Sequence, residues 1–253
     1  MAKIQQLSCS TDAGLGLQAK IGLIVLQTDQ TIEHEFRQLL NLDGVACYHS
    51  CIANAMAVTP ATLAQMEADL PKAAALLPHE FSFDAIGYAC TSGATIIGEE
   101  HVAKAIKATH PRAKVSNPLT ACKAACAALG LKRIALLTPY TPSVTQALSD
   151  HLAGHGIDIV NTGCFNLEDD LQVGRVASQS IVDGVLKLGS QTDCEGVFVS
   201  CTSLRVAHII AQAEAELGKP VIASNQVLAW HLLRLAGVEK QLTGFGALFK
   251  QPL

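Results

Sequence analysis

The sequence predicts an α/β fold of two pseudo-symmetric domains, each a parallel β-sheet flanked by helices. Short apolar runs alternate with helical patterns, which is typical of parallel sheets whose strands are joined by helices. One strand-and-loop segment also occurs twice, about one domain length apart. A chain of 253 residues is long enough to bury the cores of two ordinary domains.

Five apolar runs rich in β-branched residues have the length of buried strands. They are Ile21–Val25, Ala85–Ala89, Arg133–Leu137, Gly196–Ser200 and Pro220–Ala223. Helices are predicted between them, at residues 31–40, 60–76, 98–108, 118–129, 142–154, 172–189, 204–217 and 226–236. Several of these stretches are followed by glycine, which commonly ends a helix.

The repeated segment is a strand that ends in Cys-Thr-Ser and is expected to lead into a helix. It occurs at residues 83–92 and again at residues 194–203. We therefore expect a first α/β domain at residues 1–117 and a second at 118–223. The remaining segment, 224–253, is too short to form a domain, so we expect it to return to the first one.

The composition narrows the function classes. Apolar residues at 49% and charged residues at 16% exclude a disordered chain. A net charge of −4 with 18 Lys and Arg provides no basic surface for nucleic acid. No run reaches the roughly 18 apolar residues of a membrane span, and residues 1–20 lack the pattern of an export signal. We expect a cytoplasmic protein with a small-molecule partner. The composition is also compatible with a homo-oligomer.

The nine cysteines are expected to be reduced thiols, since no export signal is present and their number is odd. The pairs Cys47/Cys51 and Cys122/Cys126 are spaced by four, which would stack them on a helix as packing residues. The lone Cys9, Cys164 and Cys194 are interpreted in the same way. The histidines of the predicted helices, at positions 34, 101, 208 and 231, lack a paired ligand spacing, so no metal site is predicted.

The two Cys-Thr-Ser loops are the candidate functional residues. Ligands of open parallel sheets bind beyond the carboxyl ends of the strands, where both loops should lie. A helix N-terminus would favour the thiolate forms of Cys90 and Cys201. The backbone N–H groups and hydroxyls of the residues that follow could hold a carboxylate and stabilise an enediolate. These residues are Thr91, Ser92, Thr202 and Ser203. The alternative is a pair of buried strand-end cysteines followed by ordinary capping residues, and the matched repeat favours the functional interpretation.

Motifs through nearly the whole chain resemble the aspartate/glutamate racemase superfamily, in the branch of maleate cis-trans isomerases, arylmalonate decarboxylases and the racemase-like proteins of ectoine utilisation. The matching segments are Gly22–Val25, Thr31–Glu35, Tyr88–Gly93, Thr138–Tyr140, Val173–Arg175, Ser200–Leu204, Leu217–Val221 and Ser224–Gln226. Each motif alone is weak, and their specificity comes from their combination.

The resemblance implies an active site between two domains, with a cysteine from each beside the substrate and no metal, flavin or pyridoxal phosphate. In the racemases, one thiolate removes the α-proton and the opposite thiol returns one to the other face. In the maleate isomerases, one cysteine adds to the double bond. The decarboxylases keep only the cysteine that matches Cys201, so the presence of Cys90 argues against that branch. Tyr140 falls on the family's active-site tyrosine, whose phenol can donate to a carboxylate, although it could also be a simple strand-end tyrosine.

Two departures from the maleate-isomerase pattern bear on the substrate. By the resemblance, Asp29 and Asp170 stand where that pattern has asparagine. A carboxylate there would repel a substrate carboxylate and attract an ammonium or amide donor. The alternatives are a helix cap for Asp29 and a solvated acid for Asp170. The leading hypothesis is therefore a cofactor-independent amino-acid or N-substituted amino-acid racemase. A maleate-type cis-trans isomerase, an arylmalonate-type decarboxylase and a noncatalytic ligand-binding protein are the alternatives.

Overall fold

Two four-stranded parallel sheets form the framework of the computed structural model, which describes residues 4–55 and 60–253. The first half contains β1 (Ala19–Leu26), α1 (Ile32–Leu39), β2 (Val45–Ile52), α2 (Pro60–Ala75), β3 (Ala85–Ala89), α3 (Thr91–Ile97), α4 (Glu99–Lys107) and β4 (Lys114–Ser116). Its strand order is β2-β1-β3-β4, with every pairing parallel.

The second half repeats this arrangement. It contains α5 (Pro118–Leu129), β5 (Arg133–Thr138), α6 (Pro142–Gly154), β6 (Asp158–Cys164), α7 (Asp170–Val173), α8 (Ser178–Gly189), β7 (Gly196–Val199), α9 (Ile210–Leu217), β8 (Val221–Ala223) and α10 (Ser224–Leu235), followed by a short 3₁₀ turn at Leu248–Lys250. The strand order is β6-β5-β7-β8, so the halves correspond strand for strand. The predicted fold class, two pseudo-symmetric parallel α/β units, is confirmed.

The strands that the sequence analysis missed are β2, β4 and β6, and all three lie at sheet edges. The side chains of β2, β4 and β6 are mostly not buried and mix polar and apolar types, so they lack the buried-strand pattern. The fourth edge strand, β8, is fully buried, and its apolar run was predicted. The prediction that Cys47 and Cys51 stack on a helix is wrong, because both lie in β2. Cys122 and Cys126 do lie in a helix, α5, where both are buried.

Two predicted helices differ in extent from the observed ones. The helix expected at 172–189 is two helices, α7 and α8. The helix expected to begin at 204 starts only at Ile210, because the preceding residues form turns. Among the described residues, no helix combines the length and apolar character needed to cross a lipid bilayer.

Helix α10 connects the two halves. It follows directly on β8 of the second sheet but packs against β3 and α1 of the first half and against α5. Its residues from Ser224 to Arg234 are all buried, which is typical of a helix surrounded by protein. The carbonyl oxygen of Gln251 accepts hydrogen bonds from the indole of Trp230 and from Arg234. These bonds hold the C-terminal segment against α10. The predicted domain boundaries at residues 117 and 223 stay predictions.

Candidate active site

A small pocket is lined by residues that follow strands of both sheets. Cys90 comes after β3, Tyr140 after β5 and Cys201 after β7, so the pocket lies beyond the carboxyl ends of the strands. Its volume is about 20 Å³, enough for roughly one water molecule. The described wall consists of Leu26, Asn54, Ala55, Thr62, Met66, Cys90, Thr91, Ser92, Tyr140, Asp170, Cys201, Thr202 and Ser203. Eight of the nine predicted site residues are in this wall, Asp29 being the other.

Cys90 caps the N-terminus of α3. Its Sγ accepts the backbone N–H of Gly93 at 3.2 Å and lies 3.7 Å from the hydroxyl of Ser92. A Cβ at position 93 would come within 2.6 Å of the Tyr88 hydroxyl and 2.9 Å of Cys90 Sγ, so glycine is required there. Burial nevertheless raises the pKa of Cys90 to about 11, despite the bond from Gly93. Desolvation therefore outweighs the helix end in this pocket, and the thiolate expected near neutral pH stays a prediction.

Cys201 has a different backbone environment from Cys90. Its φ is +117°, in a region that side-chain-bearing residues rarely adopt, and it is followed by turns, with the next helix beginning only at Ile210. Its N–H donates to the hydroxyl of Ser224 at 2.9 Å. Burial raises the pKa of this thiol well above its ordinary value, and the charge of Asp170 raises it further. The predicted symmetry of the two Cys-Thr-Ser loops therefore holds for the strands and not for the residues after them.

The loop after Cys201 is held by groups from α1 and α10 instead of by helical hydrogen bonds. The carboxylate of Glu35 accepts the N–H groups of Val206 at 2.7 Å and Ala207 at 2.8 Å. Asn225 donates both to Glu35 and to the carbonyl oxygen of Thr202, each at 2.8 Å. These bonds fix the turns between Cys201 and Ile210, where α9 begins.

Hydroxyl groups that were predicted to bind a substrate carboxylate form hydrogen bonds within the protein. The Thr91 hydroxyl lies 2.8 Å from the Ser224 hydroxyl, and the Thr202 hydroxyl donates to the carbonyl oxygen of Ala89 at 3.3 Å. Ser203 donates to Asp170 at 2.9 Å. The first N–H groups of a helix have no partner within it, so the start of α3 is the better donor for a bound carboxylate.

Asp170 is a buried carboxylate in the pocket wall. Its oxygens accept hydrogen bonds from the hydroxyls of Thr28 and Ser203. The alternative of a solvated acid is therefore excluded by its position, since only 4% of the residue is exposed. Asp170 places a negative charge beside both thiols, and this charge raises the pKa of each.

Asp29 lies just behind the described wall. Its Oδ1 accepts the N–H groups of Thr31 at 2.8 Å and Ile32 at 2.9 Å, as a helix cap does. Its Oδ2 is buried and accepts no hydrogen bond of normal geometry. Burial raises the pKa of this carboxyl above its ordinary value. Asp29 therefore caps α1 through Oδ1 only. Direct contact of Asp29 with a substrate stays a prediction.

Tyr140 lies beside Cys201 with only 3% of its surface exposed. Its phenolic oxygen accepts a long hydrogen bond from Ser200 at 3.5 Å. Burial raises its pKa well above the ordinary value, so the phenol keeps its proton and can donate it in a hydrogen bond.

Several residues of the site were not found by the sequence analysis. Leu26, Asn54, Ala55, Thr62 and Met66 line the pocket, and Tyr88, Ser224, Asn225 and Glu35 support it. Asn54 follows the edge strand β2, which was itself missed. Ser224, Asn225 and Glu35 lie in motifs that carried the family resemblance, and those motifs were the only sequence signal for them.

Asp170→Asn should lower the pKa of both cysteines, because the Asp170 charge raises both. In the wild type, alkylation of Cys90 by iodoacetamide should rise about tenfold per pH unit until the pH approaches its pKa of about 11. The variant should reach its maximum at lower pH, measured for each cysteine by peptide mass spectrometry. Asp169→Asn is the control, since it caps α7 and lies outside the described pocket wall. Identical profiles for Asp170→Asn and the wild type would contradict the electrostatic account.

Glu35 should make the free energy of unfolding depend on pH. Burial raises its pKa from 4.5 to about 7, against the hydrogen bonds from Asn225, Ala207 and Val206. The folded protein then binds this proton more tightly than the unfolded chain does, so the stabilisation is complete below about pH 4.5 and is lost as the pH rises through about 7. Relative to Glu35→Gln, the wild type should lose about 2–3 kcal/mol over that interval.

Chemical denaturation of the wild type and Glu35→Gln across this pH range measures the effect. Glu33→Gln, on the half-exposed side of the same helix, is the matched control and should follow the wild-type curve. A constant difference between Glu35→Gln and the wild type at all pH values would contradict a raised pKa.

Comparisons with known proteins agree with the fold and with the family resemblance. A family model described as arylmalonate decarboxylase matches residues 99–249. A maleate isomerase of Pseudomonas putida is 25% identical over 245 residues, covering 90% of this chain and 96% of that protein. The maleate isomerase of Nocardia farcinica is also 25% identical, over 241 residues and 92% and 96% of the two chains. The arylmalonate decarboxylase of Bordetella bronchiseptica is 34% identical over 128 residues, 49% of this chain and 52% of that one.

Solved structures show the same fold. A mutant of the Nocardia farcinica maleate cis-trans isomerase with a covalently bound succinylcysteine intermediate has a TM-score of 0.85 at 23% identity, covering 92% of this chain and 98% of that one. A liganded mutant of arylmalonate decarboxylase has a TM-score of 0.82 at 24% identity, covering 92% and 99%. Since the family model spans more than half of the sequence, the chain belongs to the arylmalonate decarboxylase family, in the branch of the aspartate/glutamate racemase superfamily that includes the maleate isomerases.

Proposed function

We propose that the chain is a cofactor-independent racemase of an amino acid or N-substituted amino acid, working by proton transfer between Cys90 and Cys201. The observation that carries the proposal is the composition of the pocket, which joins two thiols with the buried carboxylate of Asp170. Two thiols suffice for the chemistry, because one can take a proton and the other can supply one.

In the proposed reaction, the thiolate of one cysteine removes the α-proton of the substrate. The electron pair of the broken C–H bond moves into the carboxylate and forms an enediolate. The thiol of the other cysteine then protonates the α-carbon on the opposite face and becomes the thiolate. The Tyr140 phenol and the first N–H groups of α3 are the donors that would stabilise the enediolate oxygens.

The charges of the pocket favour a substrate that carries an amino group. The described wall holds no lysine, arginine or histidine, and it contains the carboxylate of Asp170. A dicarboxylate would bring two further negative charges into this desolvated space. An ammonium or amide N–H could instead donate to Asp170 or to the unpartnered Oδ2 of Asp29. A cation there would also offset the negative charge that raises the pKa of both cysteines.

Cis-trans isomerisation of a maleate-like substrate is the second candidate, favoured by the similarity to maleate isomerases over 90% or more of this chain. A thiolate would add to the double bond, the new single bond would rotate, and elimination would return the thiolate and the trans product. The same cysteines serve both reactions, and the substrate decides between them. Decarboxylation remains the weaker alternative, because its known members lack the cysteine that matches Cys90.

Deuterium exchange distinguishes these reactions. In deuterated water, the protein should introduce deuterium at the α-carbon of its amino-acid substrate while racemising it, which proton NMR and chiral chromatography measure. Cys90→Ser and Cys201→Ser should each reduce turnover by at least about a hundredfold, since proton transfer to and from carbon needs both groups. Cys51→Ser, at an exposed cysteine of β2, is the control and should retain activity. Conversion of maleate to fumarate without exchange in any amino acid would replace the racemase proposal by the second candidate.

Asp29→Asn tests the substrate preference. Asparagine caps a helix about as well as aspartate, so the variant should fold normally. If Asp29 receives an ammonium or amide donor, kcat/KM for the amino-bearing substrate should fall by an amount equivalent to about 1–3 kcal/mol. Activity with dicarboxylates should rise in the same variant. The measurement is the ratio of kcat/KM for one amino acid and one dicarboxylate, and an unchanged ratio would limit Asp29 to its capping role.

A further inference from the structure

A second cluster of ligand-type side chains lies outside the pocket described above. Glu99 begins α4, His151 lies in α6, and His155 follows the end of that helix. The three residues line a surface cavity of about 600 Å³ whose wall also includes Lys123. We propose that this cluster binds a divalent transition-metal ion of the zinc type. The proposal is independent of the reaction at the cysteines.

The distances suit a shared ion. One ligand atom from each of the three side chains lies within 4.8 Å of the others. His151 Nε2 and Glu99 Oε1 are 3.1 Å apart. Two ligands bound tetrahedrally to zinc at about 2.0–2.1 Å are about 3.3 Å from each other, so this pair needs little adjustment. His155 completes the set by a small side-chain movement, which its exposed position permits.

The two histidines are presented as a pair. They are four residues apart, so they lie on one face at the end of α6. Their rings stack with centroids 4.4 Å apart. His155 Nδ1 lies 2.8 Å from the carbonyl oxygen of His151. A ring nitrogen that donates to a carbonyl leaves the other nitrogen unprotonated and available to a metal.

Lys123 currently occupies the place of a cation beside Glu99. Its Nζ lies 2.5 Å from Glu99 Oε1, the same oxygen that faces His151. The other carboxylate oxygen of Glu99 accepts a hydrogen bond from Thr120, which orients the carboxylate toward the cavity. A bound ion must displace the Lys123 amine, and the flexible lysine stem allows this movement. Removal of the lysine charge should therefore strengthen metal binding.

The donor set selects the kind of ion. Two imidazoles and one carboxylate suit zinc and its neighbours in the transition series, whereas magnesium and calcium prefer all-oxygen sites. With three protein ligands, water would complete the coordination. The ion would link α4 to α6. The N-terminus of α6 lies near the pocket, two residues after Tyr140, and α4 follows α3, which begins directly after Cys90.

Calorimetric titration of the reduced, full-length protein with Zn²⁺ tests the proposal. His155→Ala should weaken binding by at least about tenfold, the lower range for disturbing a metal site. Lys123→Met should strengthen it severalfold. His101→Ala is the matched control, because His101 lines the same cavity but pairs with Glu67 instead, and it should bind Zn²⁺ like the wild type. Thermal unfolding of each variant without metal checks that the fold is intact.

Two results would overturn the proposal. One is Zn²⁺ affinity unchanged in both His155→Ala and His151→Asn. The other is an anomalous-scattering peak, in crystals grown with Zn²⁺, at the thiols and imidazole of β2 and not between Glu99 and the two histidines. Cys47, His49 and Cys51 make β2 the competing location. Binding that is lost with the histidines and strengthened by Lys123→Met would support the site.

Discussion

The buried hydroxyl of Ser224 contacts both cysteine-bearing loops of the pocket. Ser224, the first residue of α10, lies 2.8 Å from the Thr91 hydroxyl and accepts the N–H of Cys201 at 2.9 Å. The helix that carries it follows the second sheet in sequence and packs against the first. Cys201 has a left-handed backbone conformation, which costs about 1–3 kcal/mol and persists only when its surroundings impose it. Those surroundings are provided by Ser224, Asn225 and Glu35. The position of Cys201 relative to Cys90 therefore depends on how α10 packs between the two halves.

The second constraint is the desolvation of charge around the pocket. Glu35 and Asp170 are buried, and hydrogen bonds from backbone and side-chain donors satisfy them. No cationic side chain lies in the described wall to offset the charge of Asp170. Burial and this charge raise the pKa of both cysteines above the ordinary value. A substrate that brings a positive charge changes that balance, whereas a dianion adds to it. The proposed preference for an amino-bearing substrate is thus a property of the whole buried cluster.

The sequence analysis succeeded where local pattern and burial agree. The central strands β1, β3, β5 and β7 are covered on both sides, and their apolar runs were recognised. The edge strands β2, β4 and β6 were missed because their side chains are mixed. The loop after Cys201 was expected to be helical because Thr and Ser are capping residues at helix starts. The partners that hold it in another conformation come from α10, more than twenty residues away, and from α1, more than a hundred residues away. No local pattern reveals them.

The sequence by itself determined the fold class, the family and the two cysteine-bearing loops. The repeated strands and the motifs consist of residues that are close together in the sequence, so they can be recognised without the folded structure. It also indicated that Asp29 and Asp170 depart from the maleate-isomerase pattern. Only the tertiary structure decided that Asp170 lines the pocket while Asp29 uses one oxygen as a helix cap. It also decided that the surroundings of both cysteines raise their pKa and that Glu99 lies beside His151. The physical reason is that desolvation and hydrogen bonding depend on which distant groups share a buried space, and that information appears only when the chain is folded.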